Sequence, residues 1–228
     1  MKLEISPIAY IKTDFKEKFG IPRQSGRAKS LTGKIVFLPE YQTPEALRGL
    51  EEFSHIWLLF DFSEAHKDAW SPTVRPPRLG GNKRVGVFAS RAPFRPNPIG
   101  LSCVKLEKIE KTPDEGTVLF VSGVDLLDGT PILDIKPYIP HADLIPDAAG
   151  GYSDDAKDYR LDVVFPEKLL NLLPTDKRAA AIECLADDPR PAYQDEPERI
   201  YGMLFADYNI QFQVEKDTLT VVGVEKRK

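Results

Sequence analysis

Phe53-Ser54-His55-Ile56-Trp57-Leu58-Leu59-Phe60-Asp61-Phe62 is the stretch whose reading decides the fold. Side chains alternate along an extended chain. Phe53, His55, Trp57 and Leu59 therefore share one face, and Ser54, Ile56, Leu58 and Phe60 share the other. Apolar residues on both faces predict a central strand buried on both sides. Outward from it lie shorter β-biased runs: Leu3–Lys12, Gly33–Leu38, Arg84–Ala89, Ile99–Ile109, Thr117–Ser122 and Pro131–Ile135. Gly80-Gly81-Asn82 and Asp128-Gly129 mark turns between them. One short helix is expected at Pro44–Gly49, with Thr43 as its N-cap and Pro44 in its first position. Many short strands with little helix predict a small closed or nearly closed barrel.

The character changes near residue 140. Residues 140–160 are rich in Pro, Gly, Asp and Ala, and read as a linker or an ordered surface loop. Pro166–Leu173 and Thr175–Ala186 read as helices. Strands follow around Tyr201–Val214 and Leu219–Glu225, with a Lys216-Asp217 turn between them. The expected fold class is mainly β: a small β-barrel over residues 1–142, then a small α+β domain over 143–228.

Composition narrows the function. The 228 residues are 42% apolar and 29% charged, which excludes a disordered or collagen-like chain. Cys103 and Cys184 share no motif, and no zinc-type spacing is present. The segment Met1–Lys12 has no long apolar core, and the longest apolar run is only Ile56–Phe60. A cytoplasmic protein with no membrane partner is the expectation. Neither a Gly-x-x-x-x-Gly-Lys-Ser/Thr loop nor a Gly-x-Gly-x-x-Gly loop occurs, so a nucleotide would need some other cradle.

The net charge of −4 argues at first against a nucleic-acid partner. Its distribution argues the other way. Residues 71–106 carry seven basic side chains and no acidic one, whereas residues 107–228 carry 14 basic against 25 acidic. Six of the chain's 20 prolines sit in that basic segment: Pro72, Pro76, Pro77, Pro93, Pro96 and Pro98. Proline fixes its own φ and extends the residue before it. Arginine forks on so stiff a backbone lose little entropy when they bind an anion. A solvated basic face would ordinarily mix signs, so anion or nucleic-acid contact is the better reading.

Three further groups stand out. Asp125, Asp128 and Asp134 lie close in sequence; they fit a turn, a weak metal site, or acceptors for ribose hydroxyls or an adenine amino group. Pro22-Arg23-Gln24 sits among Lys16, Lys18, Arg27 and Lys29. Asp188-Pro189-Arg190-Pro191-Ala192-Tyr193 sets another arginine between prolines. His55 fits a core histidine or a binding-site residue. Trp57 reads as core, and Trp70 as a loop anchor or a base-stacking ring.

The run Arg91-Ala92-Pro93-Phe94-Arg95-Pro96-Asn97-Pro98-Ile99-Gly100 resembles the signature of the TsaA-like family. So do Pro22-Arg23-Gln24, Phe53 through Trp57, and Asp125 through Tyr138, while Asp188 through Tyr193 resembles the domain appended in its bacterial branch. The resemblance covers nearly the whole chain. It implies a TsaA-like β-barrel methyltransferase working as a homodimer. Its cofactor would be S-adenosyl-L-methionine, and its substrate N6 of threonylcarbamoyladenosine at position 37, beside the anticodon of a tRNA. By matching position, the cofactor site would use Pro22, Arg23, Gln24, His55, Ile56, Arg91, Leu101, Asp125, Leu126, Leu127 and Asp128. Arg95, Asn97, Lys136 and Arg190 would hold the substrate in the tRNA anticodon loop. Asp128 and Tyr138, with Asp134 beside them, are the candidate proton acceptors, and no metal is implied. A non-catalytic RNA-binding module and a methyltransferase acting on a non-RNA small molecule are the alternatives.

Overall fold

The structure, a computed structural model, describes residues 3–76, 83–190 and 196–227. The expected Gly80-Gly81-Asn82 turn, together with Pro77, Arg78 and Pro191-Ala192-Tyr193, lies outside the described residues.

In chain order the elements are β1 (Ala9–Thr13), β2 (Thr32–Phe37), α1 (Pro44–Leu47), β3 (His55–Asp61), β4 (Thr73–Val74), β5 (Val85–Gly86), β6 (Ile99–Thr112), β7 (Gly116–Ser122), β8 (Pro131–Pro137), α2 (Pro140–Asp143), β9 (Asp162–Val164), α3 (Glu167–Leu170), α4 (Thr175–Ala186), β10 (Tyr201–Phe205), β11 (Tyr208–Glu215) and β12 (Thr218–Lys226). Six strands close into a barrel in the order β1-β2-β7-β6-β3-β8. The remaining long strands form a second sheet in the order β10-β11-β12-β9. The fold is mainly β with a closed barrel.

Barrel closure corrects the reading of β3. Ile56, Leu58 and Phe60 point into the barrel and are buried, whereas His55, Trp57, Leu59 and Asp61 are only half-buried. A closed sheet has one interior, so the second apolar face looks outward. Trp57 is not core: its indole N–H donates to Asp143 at 3.1 Å on the outer surface. The inner filling is alternating and aliphatic, with Ile11, Ile35, Ile56, Leu58, Val104, Leu119 and Ile132 all at or near zero exposure.

Other differences have local causes. Arg84–Ala89 yields only the two-residue β5 and a 3-10 turn over Val87–Ala89. Tyr201–Val214 is two strands, turned at Ala206 and Asp207, both with positive φ. No glycine announces that hairpin, so the sequence pattern ran through it. Parallel β9, paired with β12, falls outside the expected strands: its Val163-Val164-Phe165 run is β-prone, but the strand is only three residues long. Thr43 precedes α1 as expected, but its hydroxyl donates to the Glu45 carboxylate rather than capping the helix. Residues 140–160 form an ordered surface loop containing α2 and a 3-10 turn at Gly151–Ala156.

The barrel and the second sheet share one continuous apolar core. Phe15 meets Phe205 with ring centroids 5.4 Å apart. Polar clasps surround that contact. The Ser30 hydroxyl and backbone N–H each donate to Glu183 at 2.8 Å, and Lys177 reaches Asp14 at 2.7 Å. Arg27 donates to Asp187 at 2.5 Å, and to the carbonyls of Lys157 and Tyr159 at 2.6 Å each. Lys16 pairs with Asp207. Much of the positive charge around Pro22 is therefore engaged by the C-terminal unit.

Candidate active site

A cavity of about 860 Å³ opens at one end of the barrel, where β3 ends and β6 and β8 begin. That is within the usual range for small-molecule sites, roughly 300–1,000 Å³. Four segments wall it: the Ile21–Gln24 loop, the end of β3 with Ser63–Ala65, the Phe88–Leu101 run, and Asp125–Leu127 with Thr130.

The arginine–proline run enters the barrel through a close approach. Gly100 lies opposite Phe60, and a Cβ at that position would overlap the Phe60 ring. Glycine there lets β6 pack down against β3. Before it, Pro98 accepts the Phe62 N–H at 2.8 Å, tying the run to the end of β3. Arg95 Nη1 donates to the Ser90 carbonyl at 3.0 Å, and Arg91 Nη1 donates to Gln24 Oε1 at 2.8 Å. Among the described residues no carboxylate forms an ion pair with either guanidinium.

Asp125 is the most unusual group on the wall. Its Oδ1 is buried with no hydrogen-bond partner among the described residues. Burial pushes its pKa up to about 6, against the opposing pull of hydrogen bonding from Ser102 and the Ser25 backbone and of the Arg91 charge. A buried acceptor without a donor is costly, so an oxygen left in this state at a cavity wall is suited to a ligand's N–H or O–H.

Arg23 is set from the other side. Its backbone N–H donates to Asp187 at 3.2 Å, and its Nη2 donates to the carbonyls of Asp188 (3.4 Å) and Arg190 (2.8 Å). Arg190 is itself buried and bonds Asp188 through Nε (2.9 Å) and Nη2 (3.1 Å), with the Tyr159 hydroxyl donating to the same carboxylate at 2.9 Å. The C-terminal unit thus reaches the cavity wall through Arg23.

Of the site residues expected from sequence, Pro22, Arg23, Gln24, Arg91, Arg95, Asn97, Leu101, Asp125, Leu126 and Leu127 come together on this one wall. The others do not. Ile56 is wholly buried inside the barrel, and His55 is at the far end of β3, about 20 Å of strand from the cavity. His55 instead shares a 2.9 Å hydrogen bond with the Ser54 hydroxyl. Tyr138 stands beside His55 and Trp57 on the barrel's outer surface. Lys136 is at the same far end, paired with Asp134 at 2.8 Å. Asp128 faces β1: its carboxylate accepts the Thr13 N–H at 2.9 Å and its own N–H donates to the Phe15 carbonyl. Arg190 is locked to Asp188 and contributes to the wall only through its carbonyl's hold on Arg23. The carboxylates of Asp125, Asp128 and Asp134 do not converge, and no metal-type group of three or more side chains occurs among the described residues. Sequence reasoning missed Phe60–Ala65, Phe88, Phe94 and Ser102, whose only signal is adjacency to the runs that were singled out.

A cavity with apolar walls, a buried carboxylate lacking a donor and several guanidinium forks suits a ligand with an apolar ring, polar hydrogens and an anionic end. Comparisons with known proteins agree with that chemistry. The profile of the tRNA-methyltransferase O N-terminal domain matches residues 10–144, and that of the TrmO C-terminal domain matches residues 158–227. A tRNA (adenine(37)-N6)-methyltransferase of Escherichia coli K12 is 42% identical over 98% of both chains. A Pseudomonas aeruginosa protein, 46% identical over 98% of both chains, carries the name of an S-adenosylmethionine-dependent methyltransferase. The crystal structure of TrmO from the same species superposes with a TM-score of 0.80 at 39% identity, covering 99% of this chain and 98% of that one.

Proposed function

The chain belongs to the TrmO family of tRNA methyltransferases, and from that premise we propose that it transfers a methyl group from S-adenosylmethionine to N6 of adenine 37 in tRNA. The observation that carries the reading is the donorless Asp125 Oδ1 in the barrel-end cavity. It fits the cofactor: Asp125 accepts one of the cofactor's polar hydrogens, Leu101, Leu126 and Leu127 flank its apolar parts, and Arg23 and Arg91 complement its carboxylate. Bound there, S-adenosylmethionine supplies an electrophilic methyl group. The protein's own contribution is placement and exclusion of water.

The substrate side is the mouth, where Arg95 and Asn97 stand on the proline-stiffened run. The finer reading is that the adenine carries a threonylcarbamoyl group, whose carboxylate suits the bidentate fork of Arg95. N6 is then a urea nitrogen with a delocalised lone pair, so orientation matters all the more. Asp128 and Tyr138 are not among the described residues that line this cavity.

The active protein is a homodimer acting in the cytoplasm. The half-exposed outward row of Trp57, Leu59, Leu101 and Cys103, on adjacent strands, supports self-association. Two free thiols and a tRNA substrate support the compartment. Among the described residues no helix is long and apolar enough to cross a membrane.

Mass spectrometry of tRNA nucleosides from cells with and without the protein tests the activity. Loss of the N6-methylated threonylcarbamoyladenosine on deletion is expected, and its persistence unchanged overturns the reading. Calorimetric binding of S-adenosylmethionine separates the enzyme from a non-catalytic RNA-binding module.

A further inference from the structure

Beside the cavity mouth, two aromatic rings stand open to solvent. Trp70 is 53% exposed and Phe88 76%. Their centroids are 6.3 Å apart and their planes 33° from parallel, so the two form a shallow step rather than a closed stack. The mount is firm. Val87, next to Phe88, is buried, its N–H donates to the Pro72 carbonyl at 3.0 Å, and the β4–β5 pair ties the two arms together. Phe88 also lines the cavity itself.

An exposed Phe–Trp pair is unfavourable in water unless something covers it. The charge around it says what. Arg75, Lys83 and Arg84 are exposed on the same pair of arms, and no acidic residue occurs between 71 and 106. Flat apolar rings on arms that carry exposed cations match a polyanion with splayed bases, which is single-stranded nucleic acid.

Resting on the methyltransferase reading, we propose that Trp70 and Phe88 are a stacking step for the unpaired bases that flank the target adenine in the anticodon loop, with Arg75 and Arg84 on the adjoining phosphates. Stacking the neighbours frees the target base to turn into the cavity that Phe88 borders. Selection of the nucleotide by context then resides in this step, and reading of its substituent resides at Arg95 and Asn97.

The chain has two tryptophans, so Trp57→Phe leaves Trp70 as the sole fluorescent indole. In that background, addition of an anticodon stem-loop RNA should quench the emission strongly, and a stem-loop with abasic sites on both sides of position 37 should quench it little. Trp70→Ala should raise the KM for tRNA about tenfold, Trp70→Tyr should restore most of it, and affinity for S-adenosylmethionine should not change. The abasic RNA should show the same rise with wild-type protein and no further rise with Trp70→Ala. Unaltered emission, or equal KM values for the intact and abasic RNAs, overturns the stacking step. If wild-type protein fails to methylate intact tRNA, the methyltransferase reading fails instead, and the quenching still decides the stacking.

Discussion

Two arginines precede prolines in similar sequence settings, Arg95 in Pro-Phe-Arg-Pro and Arg190 in Pro-Arg-Pro, yet their surroundings are opposite in kind. Arg95 stands at a cavity mouth, held by one carbonyl and faced by no carboxylate within ion-pair range among the described residues. Arg190 is buried in the C-terminal unit, its side chain 9% exposed and forked onto Asp188, whose side chain is 12% exposed. Asp188 and Asp125 make the same contrast. Burial raises both, but at Asp188 the hydrogen bonds from Arg190 and Tyr159 and the Arg190 charge outweigh it and hold the carboxyl below its ordinary value. At Asp125 burial prevails, and the pKa rises to about 6. The completed ion pair is structural, and the carboxylate oxygen left without a partner lies on the cavity wall.

The largest expected effect lies at that buried pair. Arg190→Ala leaves the Asp188 charge buried with the Tyr159 hydroxyl on its side chain but no guanidinium, and should cost about 3 kcal/mol of stability in a denaturant titration. A variant as stable as wild type would show that the Arg190–Asp188 pair does not brace this part of the C-terminal unit. Arg95→Ala should do the reverse: methyl transfer falls by at least about 100-fold while stability changes by less than about 0.5 kcal/mol. Loss of fold without selective loss of turnover would place Arg95 with Arg190.

Next comes pH. A depressed carboxyl stabilises the fold above its ordinary pKa and loses that contribution as pH falls through the folded value, which is the case of Asp188. A raised one does the opposite. For Asp125 the contribution is full below its ordinary value of 3.8 and is lost as pH rises through about 6, an effect on the order of 3 kcal/mol in the ligand-free protein. Asp125→Asn should therefore gain stability relative to wild type between pH 4 and 7. The same substitution should remove a fall in S-adenosylmethionine affinity that wild type shows as pH drops below about 6. Parallel pH profiles for the two proteins would remove Asp125 from the cofactor's surroundings. The smallest effect is at Lys136, 63% exposed and paired with Asp134 far from the cavity. Lys136→Ala should change stability by less than about 0.5 kcal/mol and leave S-adenosylmethionine affinity unaltered by calorimetry.

How much was legible from sequence depended on what kind of signal each residue sends. Strand alternation is local, so all six barrel strands and the turns that precede β8 and β12 could be read directly. Barrel closure is not local, and it turned the outer half of β3 from core into surface. The hairpin at Ala206-Asp207 was hidden because Ala206 is not a usual carrier of positive φ, although Asp207 is. At the site, the runs Pro22–Gln24, Arg91–Asn97 and Asp125–Leu127 line one cavity. His55, Ile56, Asp128 and Tyr138 belong to equally recognisable stretches, but strand length and side-chain direction carry them elsewhere.

The sequence by itself determined that this is a mainly β chain with a rigid, basic, proline-braced segment, because alternation, proline geometry and charge clustering are properties of neighbouring residues. Only the tertiary structure decided which arginines remain open to a ligand. That depends on whether a carboxylate comes within reach of them in the folded chain, as Asp187, 160 positions away, does for Arg27, and whether one oxygen of the buried carboxylate beside them, Asp125 Oδ1, is left without a partner.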